Sequence, residues 1–130
     1  MTKHQLPQER LPLTPPVFHI LLALAEEERH GYGIMQDVAR QTDGALQLGP
    51  GTLYGCLKRM LAAGLVEESD ERRRYYRMTT LGKRTVRTEA QRLAGAVMVA
   101  MARLVRRLAP HHGPGESLRP LVRRPQTRQA

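Results

Sequence analysis

The sequence predicts a mainly α chain with one small β-hairpin and a long C-terminal helix, on three observations. Apolar residues recur at helical spacing in segments 14–26, 31–42, 50–63 and 80–109. Two short runs, Leu65–Glu68 and Arg74–Thr79, flank a charged turn, and the second is enriched in the tyrosines that strands favour. The stretch LAGAVMVAMA, residues 93–102, is apolar nearly all round. With 130 residues there is enough chain for one domain, and with 41% hydrophobic but only 4% aromatic residues its core must be aliphatic and modest.

Residues 1–13 are polar and punctuated by proline, which predicts a flexible N-terminal arm. Thr14 supplies an N-cap hydroxyl, and Pro15-Pro16 follow where no N–H is needed, so a first helix starts there. Val17, Ile20, Leu21 and Leu24 form one apolar face, and Phe18 and Leu22 a second about 100° around. Two apolar faces require two partners. The acidic run Glu26–Glu28 ends this helix and His30-Gly31 breaks the chain. A second helix runs from Gly31 or Tyr32 to Thr42, with Ile34, Met35, Val38 and Ala39 inward. DGALQLGPG, residues 43–51, is a turn, and a third helix follows over 50–63, with Gly64 as its left-handed C-terminal residue.

That third helix has an unusual outer face. Leu53, Leu57, Met60 and Leu61 make its apolar side, with Cys56 at the border. Opposite lie Gly51, Thr52, Gly55, Lys58, Arg59 and Ala62, with Tyr54 on the shoulder. Glycine inside a helix costs roughly 1 kcal/mol relative to alanine, so a bare face needs a reason.

The hairpin turn is SDERRRYYRM, with Arg72, Arg73 and Arg74 at or just after its tip. Strand alternation puts Arg74, Tyr76 and Met78 on one side, packing inward through Tyr76 and Met78, and Arg73, Tyr75 and Arg77 on the other. Glu67, Glu68, Asp70 and Glu71 oppose these cations, and if they faced the same way they would repel phosphate. Thr79 or Thr80 caps a final helix that Pro110 stops. Some 30 residues span about 45 Å, too long to lie wholly against so small a core. Val86, Ala90, Leu93, Val97, Ala100 and Leu104 alternate four and three apart, a seam like that of a coiled coil. A helix apolar on every side must be surrounded, which predicts a second copy of the chain. The expected dimer interface is this seam with Met101, Leu108, Phe18 and Leu22. Residues 110–130, with four arginines, lack periodicity and read as a basic disordered tail.

Charge and composition exclude whole classes of function. Lys plus Arg number 21 against 12 acidic residues, a net charge of +9 and a pI near 10.8, which favours a polyanionic partner. The single cysteine, Cys56, permits neither an internal disulfide nor a multi-cysteine metal site. His4, His19, His30, His111 and His112 have no partners at metal-ligand spacing, and no glycine-rich phosphate loop follows a strand. No catalytic residues, metal or cofactor are expected, so the chain does not read as an enzyme. An apolar leader and a run of about 20 apolar residues are both lacking, which predicts a cytoplasmic protein without a membrane partner.

Three short helices followed by a charged hairpin is the winged helix-turn-helix order, with residues 14–79 as that domain and 80–109 as a dimerisation helix. The second helix of such a pair enters the major groove, about 12 Å wide, which is the reason for a thinly covered face. Thr52 and Tyr54 offer hydroxyls, Lys58 and Arg59 suit phosphate or guanine, and the helix N-terminus after Gly49 presents free N–H groups. HGYGI (30–34), GTLYGCLKRM (51–60), AGLVE (63–67) and YYRMTTLGK (75–83), in that order, resemble the PadR family of bacterial transcriptional regulators over about residues 13–108. The resemblance implies a winged-helix dimer intertwined through its last helix. It also implies repression through an inverted-repeat operator in double-stranded DNA, relieved by a small-molecule effector or another signal. It places the DNA-facing positions at Thr52, Tyr54 and Lys58 beside the hairpin arginines, and gives His30, Gly31 and Tyr32 a structural role. The chain departs from the family pattern at Gly55, where many relatives have proline, in a short wing, and in the lack of tryptophan on the last helix. Two other readings remain at this point: a winged-helix protein-interaction module and a nonspecific DNA-binding protein.

Overall fold

In the computed structural model, which describes residues 11–108 with side chains up to Arg106, the helices begin where the local chemistry starts them. Helix α1 spans Pro15–Glu26, and the Thr14 hydroxyl accepts a hydrogen bond from the Val17 N–H at 3.4 Å. Helix α2 spans Gly31–Gln41 and α3 spans Pro50–Ala62, the latter entered through Gly49 and Pro50. Gly64, at φ +78°, closes α3: its N–H bonds to the Leu61 carbonyl at 3.1 Å and the Leu65 N–H to the Met60 carbonyl at 2.9 Å. This pair of bonds is a Schellman motif, and only glycine adopts the required left-handed conformation without strain.

The sheet is larger than the sequence suggests. Strand β1 (Arg29–His30) precedes α2, and β2 (Val66–Glu68) and β3 (Tyr75–Met78) form the hairpin. The order is β1-β3-β2, antiparallel throughout, with Arg29 opposite Tyr76 and Val66 opposite Met78. A two-residue strand has no periodicity to detect, and it forms because Arg29 is fixed from both sides. Its Nε donates to the Ala23 carbonyl at 2.7 Å, and its guanidinium pairs with Glu27 at 3.3 Å and Asp37 at 3.7 Å. Strand β3 also starts one residue later than expected. Arg74 sits at φ +64°, in the left-handed turn rather than in the strand, so strand alternation does not set its direction.

The core is aliphatic: Ile20, Leu21 and Leu24 from α1, Ile34 and Val38 from α2, and Leu53, Leu57 and Met60 from α3 are buried together, with Val66 and Tyr76 from the sheet. Burying each large aliphatic side chain stabilises the fold by roughly 1.5–3 kcal/mol. Phe18 and Leu22 are half-buried at the margin of this core.

Helix α4 spans Thr80–Leu108, and the residue before it is bonded to the turn that follows α3. The Thr79 hydroxyl accepts from the Gly82 N–H at 3.0 Å and donates to the Leu65 carbonyl at 3.1 Å. A Cβ on Gly82 would collide with that same carbonyl and with Met78 Cγ, so glycine is required there for space. Among the described residues, those up to Gly95 form one compact unit and those from Ala96 form another.

Val86 corrects the expected seam: it is 7% exposed, buried in the core of its own chain, and so is taken before any partner arrives. Ala90 is exposed and Leu93 half-buried. Val97, Ala100, Met101 and Leu104 are all exposed, and the Leu108 side chain lies outside the described residues. Leu13, the last residue of the expected arm, is held: its N–H donates to Glu89 at 3.1 Å. Residues 1–10 and the expected basic tail from 110 lie outside the described residues.

Candidate nucleic-acid interface

Helix α3 separates its residues as its spacing requires. Leu53, Cys56, Leu57 and Met60 are buried, while Gly51, Thr52, Tyr54, Lys58, Arg59 and Ala62 are exposed and Gly55 is half-buried. A Cβ placed on Gly51 meets nothing within 4 Å, and one on Gly55 meets only the end of the Arg59 side chain at 3.8 Å. The packing of this chain therefore does not require either glycine. Gly49 caps α3 without a side-chain hydrogen bond, which leaves the helix N-terminal N–H groups and their partial positive charge open. Lys58 makes no ion pair among the described residues, and the Arg59 guanidinium contacts the Cys56 sulfur at 3.5 Å.

Tyr54 is less free than its position on the shoulder suggests. Its side chain is 47% exposed, but its hydroxyl lies against Gly31, the first residue of α2. Tyr32, given a structural role by the resemblance, is 60% exposed. It is the candidate contact residue that sequence reasoning missed, and the signal was there: a tyrosine next to the α2 start, outside the apolar stripe Ile34–Val38.

In the wing, Ser69 holds the turn. Its hydroxyl accepts from the Glu71 and Arg72 N–H groups at 3.2 and 3.3 Å, and its own N–H donates to the Tyr75 carbonyl at 2.8 Å. Arg72 lies over the Tyr75 ring, 4.4 Å from its centre. Arg73 and Arg74 are exposed and form no ion pair among the described residues. Of the four carboxylates that seemed to oppose them, Glu67 pairs elsewhere: it accepts from Arg77 Nε at 2.8 Å, and Glu28 lies 3.7 Å from the same guanidinium. Arg77 is thus the neutralised arginine of the hairpin. Tyr76 turns inward as alternation requires, and burial, with Glu68 and Tyr54 nearby, pushes its hydroxyl pKa up.

Two carboxylates brace the scaffold behind this surface. Glu89 is 1% exposed and accepts from both nitrogens of the Arg92 fork at 2.7 and 2.9 Å. Those bonds, with the Leu13 N–H, hold its carboxyl below the usual 4.5 against the opposing effect of burial. At Asp37, burial raises the pKa, but hydrogen bonds from Gln41 and Arg40 and the nearby Arg29 outweigh it and bring the net value down.

No helix among the described residues is long and apolar enough to cross a membrane, and no group of three metal-ligating side chains occurs among them. The model of the PadR-like family of transcriptional regulators matches residues 20–88. The chain belongs to that family. Its members are transcription regulators, not enzymes. Uncharacterized protein X of Lysinibacillus sphaericus is 33% identical over 70 residues, 49% of this chain and 64% of the other. An uncharacterized 37.1 kDa protein in a transposon of Streptomyces fradiae is 38% identical over 77 residues, 58% of this chain but 22% of that protein. The chain therefore covers less than two thirds of the length of either relative. A PadR family transcription regulator from Clostridium difficile shares the fold, with a TM-score of 0.57 at 24% identity, over 71% of this chain and 99% of the other. The PadR match covers α2, α3 and the wing, the elements that form the candidate interface.

Proposed function

We propose that this PadR-like chain acts as a homodimeric repressor that lays α3 into the DNA major groove at an inverted-repeat operator and is released by an effector. One observation carries the reading: the glycines on the outer face of α3 leave room that the protein itself does not fill. At Gly31 and Gly82 the chain's own atoms take up the space a side chain would need. At Gly51 and Gly55 they do not, and the face is rimmed by Thr52, Tyr54, Lys58 and Arg59. A groove wall of bases and phosphates is the partner that rewards close backbone approach with cations at the margin. The wing arginines Arg72, Arg73 and Arg74 supply further phosphate or minor-groove contacts. The dimer is supported by α4, where Val97, Met98, Val99, Met101, Leu104 and Val105 are each more than half exposed.

Selection of duplexes from a random pool by the purified chain tests this reading. The expected result is a consensus with two-fold symmetry, and a chain that enriches no base order refutes it. Lys58→Ala should weaken binding to all duplexes by a similar factor and lower the salt slope by about 1, as loss of a single phosphate contact does. Gly55→Gln should leave the melting temperature unchanged or raise it, since glycine inside a helix is unfavourable. The same variant should cut operator affinity about tenfold or more, read by fluorescence anisotropy.

A further inference from the structure

Gly31 lies outside the α3 face, yet its geometry bears directly on it. It is the first residue of α2, it is buried, and its backbone is not left-handed, so conformational freedom does not account for glycine there. Space does. A Cβ at this position would overlap the Tyr54 hydroxyl, lie 2.8 Å from Tyr54 Cζ and come within 3.3 Å of Leu53 Cδ2. The Tyr54 side chain leaves α3 and ends on the first turn of α2, close enough to Tyr76 of β3 to raise that residue's pKa. The residue is 47% exposed, on the same helix as the exposed Gly51 and Lys58.

We infer that Gly31 is a positioning residue for DNA recognition: by lacking a side chain it lets the Tyr54 ring lie flat across the α2–α3 junction, in the one orientation that presents its outer edge to the duplex. The inference rests on the DNA-binding reading above. A tyrosine held at its tip presents its ring with little rotamer entropy left to lose on binding. With any larger residue at position 31 the tip of the ring must leave its place against α2, and the orientation is lost. Gly31 thus acts only through Tyr54, and that dependence separates it from a residue needed merely for folding.

A double-mutant cycle on the full chain tests this, with binding measured to the duplex recovered by selection and to a mixed-sequence duplex. Gly31→Ala and Tyr54→Ala should each lower affinity for the selected duplex about tenfold. Because both remove the same feature, Gly31→Ala/Tyr54→Ala should lose about tenfold, not a hundredfold. Losses that multiply, or a Gly31→Ala variant that binds as the wild type does, overturn the proposal. If Gly31→Ala alone does not fold, the double variant decides: with Tyr54 gone it should fold and bind as Tyr54→Ala does. A double variant that stays unfolded shows that the collision is with Leu53 and overturns it. A wild-type chain that binds the two duplexes equally refutes the operator reading instead, a result distinct from any outcome of the cycle.

Discussion

The two halves of α4 have similar helical character but opposite surroundings. From Thr80 to Gly95, the inward positions are Gly82, Thr85, Val86 and Glu89, all buried, with Leu81 and Leu93 half-buried. Their spacing of three and four makes one stripe, and the chain's own core covers it. From Ala96 to Arg106 every described side chain is exposed, including Met98 at 71% and Val97 and Val105 at 57%. The first half has a single buried face, with Thr85 and Glu89 on it beside Val86, and one partner, already supplied by the chain. The second is apolar over most of its circumference, and its side chains are exposed among the described residues. The same heptad-like periodicity therefore has two different consequences. A seam from 86 to 104 looks continuous, but it is divided between the core and an exposed surface.

The contrast is sharpest at Val86 and Val97. Val86→Asp should place a charge in the core and cost about 3–5 kcal/mol, enough to unfold so small a domain, as urea titration followed by circular dichroism would show. Val97→Glu should leave helical signal intact and yield a monomer in sedimentation at concentrations where the wild type is a dimer. A stable dimer from that variant would take this half of α4 out of the interface. Next in size is Glu89→Gln, which should cost about 1–3 kcal/mol at neutral pH, because a buried charged acceptor bonded to Arg92 and Leu13 is lost. The pH dependence has a definite sign. The folded pKa of Glu89 is depressed, so its stabilisation is fully present above the unfolded value near 4.5 and is lost as pH falls below it. The wild type should therefore lose stability on acidification more steeply than Glu89→Gln. The smallest expected effect is a gain. Thr85 is fully buried, and its hydroxyl has no partner among the described residues, so Thr85→Val should raise stability by about 1 kcal/mol in a thermal melt.

Much of the candidate interface was legible because helix periodicity and caps are local. Thr14-Pro15-Pro16, Gly49-Pro50 and Gly64 set three helix ends, and the order of residues in 51–62 alone sorts Leu53, Leu57 and Met60 from Thr52, Lys58 and Arg59. The carboxylates of the hairpin could not be assigned from sequence. Whether Glu67 faces the tip arginines or Arg77 depends on the register of β2 against β3, and that register pairs Glu67 with Arg77. The family resemblance gives Tyr32 a structural role at the start of α2, and only the packing of that helix shows the residue exposed.

The chain's chemistry by itself determined the helices, the hairpin and the thinly covered face of α3, since each follows from dihedral preference and from apolar spacing within a few residues. The tertiary structure alone decided that Arg29-His30 becomes a strand, that Val86 belongs to the core of its own chain, and that Gly31 makes room for Tyr54. The physical reason is range. Each of those outcomes is a contact between residues more than 20 positions apart or the burial of one part of a stripe whose remainder stays exposed, and no local periodicity encodes either.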